Sequence, residues 1–403
     1  MAKEEKKAPK LRFNGYTNDW EQQELGAVVE FYSGLTYKPE NVVQNGTLVI
    51  RSSNIHNNQY INADNVYVKN NIVNSEYVQE QDIVVVVRNG SRNLIGKHAL
   101  LKSIPHDPSV IGAFMTGIRS LNNQFIEAVL NTEKFKREIN KNLGATINQI
   151  TTSQFKKMKF NFPKREEDKQ IGILFNYLDD TIQLHERKCE ELILIKKALL
   201  QKLFPKKDKV RPEVRYKNFS DAWKQRKLGD YLSIPAKEPI TDINKLKLMT
   251  LKLNLEGITL AANRETLKLG STKYYKRHEG QLLYGKQNFF HGSIALIPKE
   301  AEGYATSGDV PALNISNINS KYLVDYISRP IYFETKEALA TGTGSKRIHE
   351  KTLLNFKIAV PSLEEQSEIS DFIAKYTALI ALHQSKLEKL KKMKKFLLQN
   401  MFI

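Results

Sequence analysis

Polar turns rich in arginine, lysine and amide side chains are the part of this sequence best suited to chemistry. The candidate binding residues in these turns are Arg51, Ser52, Asn54, Arg88, Asn89, Ser91, Arg92, Lys97, Lys252, Asn254, Lys286, Gln287, Asn288, Lys346 and Arg347. Arginine can donate two hydrogen bonds to guanine, and asparagine or glutamine can pair with adenine through two hydrogen bonds. Backbone amides at glycine-containing turns can approach phosphates. The turns are therefore candidates for contact with DNA, while ordinary solvated loops would have the same composition.

Motifs for catalysis are missing from the sequence. It contains neither a glycine-rich S-adenosylmethionine loop nor an Asn/Asp-Pro-Pro-aromatic tetrapeptide, and the closest string, Asn161–Pro163, lacks the second proline. Gly342–Lys346 lacks the spacing of a phosphate-binding loop. The acidic cluster Glu166–Asp168 with Lys169 fits the first turn of a helix better than a nuclease site. We therefore expect no catalytic residues and no cofactor bound by this chain.

Metal ligands are also few. The single cysteine, Cys189, excludes a disulfide within the chain and a zinc site built from cysteines. His185 and His383 lie among apolar positions, without carboxylate or thiolate ligands in a metal-binding pattern. Packing in the core explains these histidines better than a metal site does, so we expect no metal.

The composition is that of a globular protein with a basic surface. Of 403 residues 41% are hydrophobic, and 62 Lys and Arg against 44 Asp and Glu give a net charge of +18. Such an excess indicates a polyanion as partner, most often nucleic acid, although a basic protein can also owe its charge to solubility. The sequence has no apolar run long enough for a membrane span and no apolar stretch behind the N-terminus. We therefore expect a cytoplasmic protein without a membrane span or signal peptide.

The sequence repeats itself once. Pro9–Gly26 returns as Pro212–Gly229, and the matching positions include the only two tryptophans of the chain. A second pair of segments, 150–204 and 348–402, matches at an offset of 198. The stretches between these repeats align poorly. A period of about 200 residues is too long for a solenoid and indicates a duplicated unit with an internal pseudo-twofold axis.

Variable and constant segments therefore alternate along the chain. Residues 1–162 hold an N-terminal segment and the first variable domain, and 163–208 the first constant helix. Residues 209–360 hold the second variable domain, and 361–403 the second constant helix. The expected fold class is α+β, with two mixed α/β domains separated by two long antiparallel coiled-coil helices.

Each constant segment has the signals of one long amphipathic helix. A proline and then glutamates mark its start, where carboxylates face the positive end of the helix dipole. Apolar residues recur every three or four positions and form one stripe on a helix about 57 Å long. The stripe favours antiparallel pairing of the two helices over separate docking on each domain. The predicted pairing residues are Ile171, Leu178, His185, Leu192, Leu199, Ile369, Tyr376, His383, Leu390 and Leu397, with Ile195 and Met393 on the same stripes.

The positive charge lies mainly outside these helices. Residues 164–209 and 363–403 each carry a net charge of only +2, which leaves +14 of the +18 for the rest of the chain. We therefore expect the variable domains to touch the polyanion.

The variable domains show a pattern of short strands with few helices. Strands are predicted at Thr47–Arg51, Asp82–Arg88, Lys247–Lys252, Gln281–Tyr284 and Ile294–Ile297. Helices are predicted at about 119–141 and 318–327. Several of the candidate binding residues fall in the turns that follow these strands.

The duplicated pattern resembles the specificity subunits of type I restriction-modification systems. The opening motif Pro…Arg-Phe/Tyr…Trp…Leu-Gly occurs at Pro9–Gly26 and Pro212–Gly229, and the closing motif Pro-x-x-Glu-Glu at Pro163–Glu167 and Pro361–Glu365. The similarity covers essentially the whole chain. It implies a non-catalytic subunit whose variable regions are target recognition domains, each reading one half of a split DNA sequence.

The resemblance also implies the partners. The conserved helices would set the distance between the half-sites and dock two methyltransferase subunits, and motor-nuclease subunits would join them on double-stranded DNA. S-adenosylmethionine, ATP and magnesium would be used by those partners. One departure is the loop Gly144–Asn148, which lacks the basic pair Lys346–Arg347 of the second loop. It leaves open whether the two loops contact DNA alike.

The expected target follows from this architecture. Two domains on a rigid helical spacer meet one face of DNA about one helical turn apart, roughly 34–36 Å. Because the variable sequences differ, we expect a bipartite, non-palindromic site. Two other functions stay open on sequence alone. One is a stand-alone fused restriction-methylation enzyme, which the missing methylation motifs disfavour, and the other is a scaffold that binds DNA without sequence preference.

Overall fold

The computed structural model describes residues 8–104, 106, 108–144, 148–206, 209–242, 244, 246–260, 272–342 and 344–403. The chain forms two compact units, the first from Met1–Arg187 and Gln384–Ile403 and the second from Lys188–His383. Both boundaries fall inside long helices. The two units are thus defined by contacts within the structure. The four-part division at residues 162, 208 and 360 rests on the sequence alone and stays a prediction.

The helices are short except for two. In chain order they are α1 Leu25–Val28, α2 Asn123–Leu130, α3 Glu133–Asn142, α4 Thr152–Lys156, α5 Arg165–Lys202, α6 Ser320–Ile327, α7 Pro330–Phe333, α8 Glu350–Leu354 and α9 Leu363–Asn400. The long helices α5 and α9 have 38 residues each. Each begins two residues after the proline of its closing motif, in agreement with the helix-start signal.

The strands are also short, and most belong to small antiparallel sheets. Those before α5 are β1 Glu21–Glu24, β2 Glu30–Ser33, β3 Val42–Val43, β4 Thr47–Ile50, β5 Ile55–His56, β6 Gln59–Tyr60, β7 Val66–Val68, β8 Ile83–Val86, β9 His98–Leu100, β10 Ser109–Ile111, β11 Met115–Arg119 and β12 Lys159–Phe162. Those after α5 are β13 Lys224–Lys227, β14 Leu232–Ser233, β15 Met249–Leu251, β16 Ile258–Leu260, β17 Tyr274–Lys276, β18 Leu282–Tyr284, β19 Ile294–Leu296, β20 Ala305–Ser307, β21 Ala312–Ile315 and β22 Lys357–Val360.

The main sheet of the first unit is antiparallel, with strand order β2-β11-β8-β9. One of its two inner strands, β8, is an apolar run whose four residues are all buried, as expected for a strand covered on both faces. A second sheet has the order β10-β4-β7-β3 and places β10 parallel to β4. In addition, β1 pairs with β12, which joins the end of the opening motif to the strand before α5.

The second unit repeats the order of the main sheet. Its strands lie as β14-β21-β18-β19, and β13 pairs with β22 as β1 pairs with β12. Lys224 lies opposite Val360 in the second unit, and Glu21 opposite Phe162 in the first. Two further pairs, β15–β16 and β17–β20, are antiparallel. The internal repeat therefore extends into the variable domains, although their sequences align poorly.

The predicted strands and the second predicted helix are confirmed to within two residues at their ends. The first predicted helix, over 119–141, is wrong in extent, because Arg119 ends β11 and the rest forms two helices, α2 and α3. The break lies at Thr132, whose hydroxyl accepts a hydrogen bond from the Phe135 amide at 3.2 Å and caps α3. A threonine side chain competes for backbone hydrogen bonds and so favours the start of a helix over its interior.

Within the first unit, the halves of α5 and α9 run antiparallel. Asp179 forms an ion pair with Lys394, and Glu186, further along α5, pairs with Lys391. Residue numbers thus fall along α9 as they rise along α5. The antiparallel pairing predicted from the apolar stripes is confirmed here.

Most of the predicted pairing residues are shielded from solvent. Ile171, Leu178, Leu192 and Ile369 are buried, and the other six, including both histidines, are half-buried. Ile195 and Met393 differ from the prediction, since their side chains are exposed. A straight helix drifts by about 20° per heptad against a continuous stripe, so some stripe positions leave the contact face.

Metal-binding groups and membrane-spanning helices are absent from the described residues. No group of three or more His, Cys, Asp or Glu side chains among them is placed to hold a metal ion. None of the helices in the same part of the chain is long and apolar enough to cross a membrane.

Candidate nucleic-acid interface

Turns after two strands of the first unit bring five candidate residues together. Ser52 follows β4 and Asn89 follows β8, and the Asn89 side-chain amide donates to Ser52 Oγ at 3.2 Å. The ammonium of Lys97 donates to the Ser52 carbonyl, also at 3.2 Å. Arg51 and Arg88 are the chain neighbours of Ser52 and Asn89. We call these five residues the first turn cluster.

The positive charge of the first turn cluster has no acidic partner among the residues that the structure describes. The guanidinium of Arg51 donates to a backbone carbonyl, as does that of nearby Arg92. Among the described residues, no carboxylate forms an ion pair with these arginines, with Arg88 or with Lys97. Burial lowers the pKa of Lys97, as expected for an ammonium held partly away from water. Such a cluster can bind an anion such as a phosphate.

Asn54 is a structural residue of this turn and does not belong to the surface. Its side chain is fully buried. Its Nδ2 donates to the Ala63 carbonyl at 2.6 Å, and its Oδ1 accepts from the Arg51 amide at 2.9 Å. The prediction of DNA contact by Asn54 is therefore withdrawn, because a buried amide that already holds the turn closed does not reach a base edge.

The second unit has a corresponding set, the second turn cluster, which consists of Lys286, Gln287, Asn288, Lys346 and Arg347. Its first three residues follow β18 as Arg88 and Asn89 follow β8. The loop before α8 folds against this turn, because the Ile348 amide donates to the Lys286 carbonyl at 2.8 Å. The Arg347 guanidinium lies 2.8 Å from the Gln287 side-chain amide, whose oxygen accepts from it in the amide orientation that satisfies both groups. The structure thus joins residues that lie about 60 positions apart in the sequence.

Lys252 and Asn254 lie in a neighbouring loop of the second unit. The Asn254 backbone amide donates to the His291 carbonyl at 2.9 Å, which attaches this loop to the segment after Asn288. Asn254 has a φ of 54°, a left-handed conformation that asparagine adopts more readily than most residues. Both Lys252 and Asn254 are exposed, so they extend the surface of the second turn cluster.

The candidate cations of the second unit are ion-paired, unlike those of the first. The pairs and their N–O distances are Lys286–Glu350 at 2.9 Å, Lys346–Glu337 at 2.8 Å, Arg347–Asp309 at 3.4 Å and Lys252–Glu256 at 3.8 Å. The partner Lys346 holds the pKa of Glu337 below its usual range. The two clusters therefore occupy matching places in the repeat but differ in electrostatics.

The loops that precede α4 and α8 both reach their clusters. In the first unit, Nδ2 of Asn148 donates to the Gly90 carbonyl at 2.9 Å. Residues 145–147 of this loop lie outside the described residues. In the second unit, Thr341 and Arg347 exchange two backbone hydrogen bonds of 3.0 and 2.8 Å. The two loops thus occupy corresponding positions in the two units. Only the second loop contains basic side chains.

Phe114 and Asp309 are surface residues that sequence reasoning missed. Phe114 lies in the turn before β11, and Asp309 in the turn before β21. Their carbonyls accept hydrogen bonds from the backbone amides of Arg88 at 3.2 Å and Lys286 at 2.8 Å. Their place beside the clusters depends on the pairing of distant strands, for which the local sequence held no signal.

The duplicated fold and its two turn clusters define a class of protein that has two copies of a DNA specificity domain. The family model described as the type I restriction modification DNA specificity domain matches residues 17–193 and 221–392. The chain belongs to this family. Its membership confirms the predicted fold class and the predicted function, that of a non-catalytic specificity subunit of a type I restriction-modification system.

Two specificity subunits and one solved structure are similar to this chain. The chain is 24% identical over 378 residues to the type I restriction enzyme StySPI specificity subunit of Salmonella potsdam, across 87% of this chain and 80% of that protein. It is 24% identical over 385 residues to the EcoKI specificity subunit of Escherichia coli (strain K12), with the same shares. The type I restriction-modification S subunit from M. genitalium has a similar fold, with a TM-score of 0.65 at 14% identity over 98% of this chain and 99% of that one.

Proposed function

We propose that this subunit reads a bipartite, non-palindromic DNA site, one half with each turn cluster. The observation that carries the proposal is the repeated sheet order β2-β11-β8-β9 and β14-β21-β18-β19, which sets different side chains at the same turn of each unit. Arginine, asparagine and glutamine in these turns can discriminate between base pairs. Because the side chains differ between the clusters, the half-sites should differ too.

The proposed DNA contacts fall into two groups. Those of the first unit are Arg51, Ser52, Arg88, Asn89, Ser91, Arg92 and Lys97, and those of the second are Lys252, Asn254, Lys286, Gln287, Asn288, Lys346 and Arg347. The exposed cations among them would bind phosphates, and the amide and guanidinium groups of the clusters would read base edges.

The helices α5 and α9 would set the distance between the half-sites and dock two methyltransferase subunits. Exposed apolar side chains on them support a protein partner, since Tyr177, Leu184 and Phe396 are each more than half exposed. Motor-nuclease subunits would then join this core. S-adenosylmethionine, ATP and Mg²⁺ would be used by these partners, and the assembly would act on DNA in the cytoplasm.

Methylation mapping tests the proposal. The chain and its methyltransferase subunits are expressed in a host that lacks other methylation, and the modified sites are sequenced. We expect one split motif with unlike halves. Asn89→Ala should relax one half only and Gln287→Ala only the other, so each variant is the control for its counterpart. A continuous or palindromic motif would contradict the proposal.

A second measurement separates this function from the two alternatives. The purified chain, without partners, is incubated with DNA and labelled S-adenosylmethionine, and we expect no methyl transfer. Transfer by the chain alone would indicate a fused enzyme. Salt-dependent DNA binding without sequence preference, even with the methyltransferase present, would indicate a scaffold.

A further inference from the structure

An exposed phenylalanine lies beside the first turn cluster. Phe114 is 54% exposed in the turn between β10 and β11, which a hydrogen bond of 2.8 Å from the Met115 amide to the Gly112 carbonyl closes. The Phe114 carbonyl accepts from the amides of Val87 and Arg88 at 2.9 and 3.2 Å. These three hydrogen bonds hold the backbone of the turn in place, so the position of the ring at the surface is a property of the fold.

An arginine side chain lies against this ring. The guanidinium of Arg88 lies 5.1 Å from the centroid of the Phe114 ring, a cation–π contact that restrains both side chains. The side-chain stem of Arg51 lies beside Gly112 of the same turn. The Phe114 ring is exposed beside cations that have no carboxylate partner among the described residues. Such a surface suits a ligand that is both anionic and partly apolar. A DNA base pair beside its phosphates has this character.

We propose that Phe114 is a specificity-determining residue that recognises a thymine in the half-site of the first unit through its C5-methyl group. The inference rests on the proposed function. In the major groove only thymine presents a methyl group, and an apolar side chain is a favourable partner for it. Arg88 acts as a positioning residue that holds the ring over the base.

The second unit differs at the matching turn. The residue there whose carbonyl bonds to the Lys286 amide is Asp309, and its carboxylate pairs with Arg347. A carboxylate offers no apolar contact to a methyl group. We therefore expect recognition of a thymine methyl group by this turn in the first half-site only.

The test removes nothing but the methyl group. The complex of the chain with its methyltransferase subunits is titrated with duplexes in which each thymine is replaced, one at a time, by deoxyuridine. At one position of the half-site relaxed by Asn89→Ala, the wild type should bind the deoxyuridine duplex about fourfold more weakly, the effect of one buried methyl group. Phe114→Ala should bind both duplexes equally at that position.

Two further variants serve as controls. Leu121→Ala removes an apolar side chain that is 86% exposed in the same unit but outside the cluster, and it should keep the wild-type discrimination. Phe114→Leu keeps an apolar contact and should retain part of the discrimination. If the alanine variant does not fold, Phe114→Gln, which is polar, takes its place and should bind both duplexes equally.

The outcomes separate the inference from the proposed function. A wild-type complex that reads its split site but has no methyl-dependent position in the first half-site refutes the inference alone. Discrimination that survives in Phe114→Ala does the same. Binding of the wild type without any sequence preference refutes the proposed function, and this inference with it.

Discussion

Asp325, on helix α6 of the second unit, links the stability of that unit to pH. Burial raises the pKa of its carboxyl from 3.8 to about 7, although Lys196 and Lys321 partly oppose the rise. The folded protein therefore keeps this proton to a higher pH than the unfolded chain does. The free energy of unfolding should fall as the pH rises from about 4 through 7, because the carboxylate must then ionise in a buried place.

Replacing this carboxyl by an uncharged amide should remove the loss. Between pH 5 and 8 the wild type should lose about 2–3 kcal/mol more of its free energy of unfolding than Asp325→Asn loses, given 1.36 kcal/mol per unit of pKa. Urea unfolding at both pH values measures the difference. Glu300→Gln, at an exposed position of the same unit, is the control and should follow the wild type. Parallel pH profiles for the wild type and Asp325→Asn would contradict the prediction.

At the scale of the elements, a buried ion pair in each unit ties the opening motif to a long helix. Arg12 donates two hydrogen bonds of 2.6 and 2.7 Å to Glu167, and Arg215 donates two of 2.7 and 2.8 Å to Glu365. Both glutamates lie in the first turn of α5 or α9 and are almost completely buried. The arginine of the opening motif and the second glutamate of the closing motif recur together because they bind each other.

Breaking one of these ion pairs should destabilise its unit strongly. Arg12→Ala leaves Glu167 buried without its partner, for which we expect a loss of about 3–5 kcal/mol in the free energy of unfolding. Adding Glu167→Gln should restore part of the loss, because the unpaired charge is then gone. Lys136→Ala is the matched control, since its pair with Glu133 is exposed and should contribute about 0–1 kcal/mol. A loss in Arg12→Ala no larger than in this control would be evidence against the role of the pair.

At the scale of the whole molecule, unpaired positive charge is divided unevenly between the two turn clusters. Both clusters are basic. The cations of the second turn cluster pair with carboxylates of their own unit, whereas no carboxylate in the described part of the chain pairs with those of the first. Binding that neutralises phosphates releases counterions and so depends on salt. The first unit should therefore supply most of the salt-dependent affinity for DNA.

This division predicts unequal effects of two similar substitutions. Arg92→Gln removes an exposed cation of the first unit and should reduce the slope of log affinity against log salt by about 1. Lys346→Gln removes a cation that Glu337 already neutralises in part, and its effect on the slope should be smaller. Fluorescence anisotropy on the complex with methyltransferase subunits, over a series of salt concentrations, measures both slopes. Equal slopes in the two variants would speak against the uneven division.

Much of this architecture could be read from the sequence. The opening and closing motifs, the offset of their repeats and the apolar stripes of α5 and α9 predicted a duplicated chain with two paired helices, and the family resemblance predicted its role. These signals are carried by residues close together in the chain, such as the proline and glutamates that start a helix. They were reliable because helix formation depends mainly on neighbours three or four positions away.

Other features were decided only by the tertiary structure. The shared sheet order of the two variable domains and the place of Phe114 depend on segments far apart in the chain. The burial of Asn54 and the pairing of Lys346 with Glu337 depend on how a single loop folds on itself. Asn54 and Asn89 both follow strands in polar turns, so their local sequences predicted the same role. The loop around Asn54 folds on itself and buries this side chain against Arg51 and Ala63. The pairing of distant strands set Asn89 beside Ser52 and Lys97, because a sheet brings together residues whose spacing in the sequence carries no periodic signal.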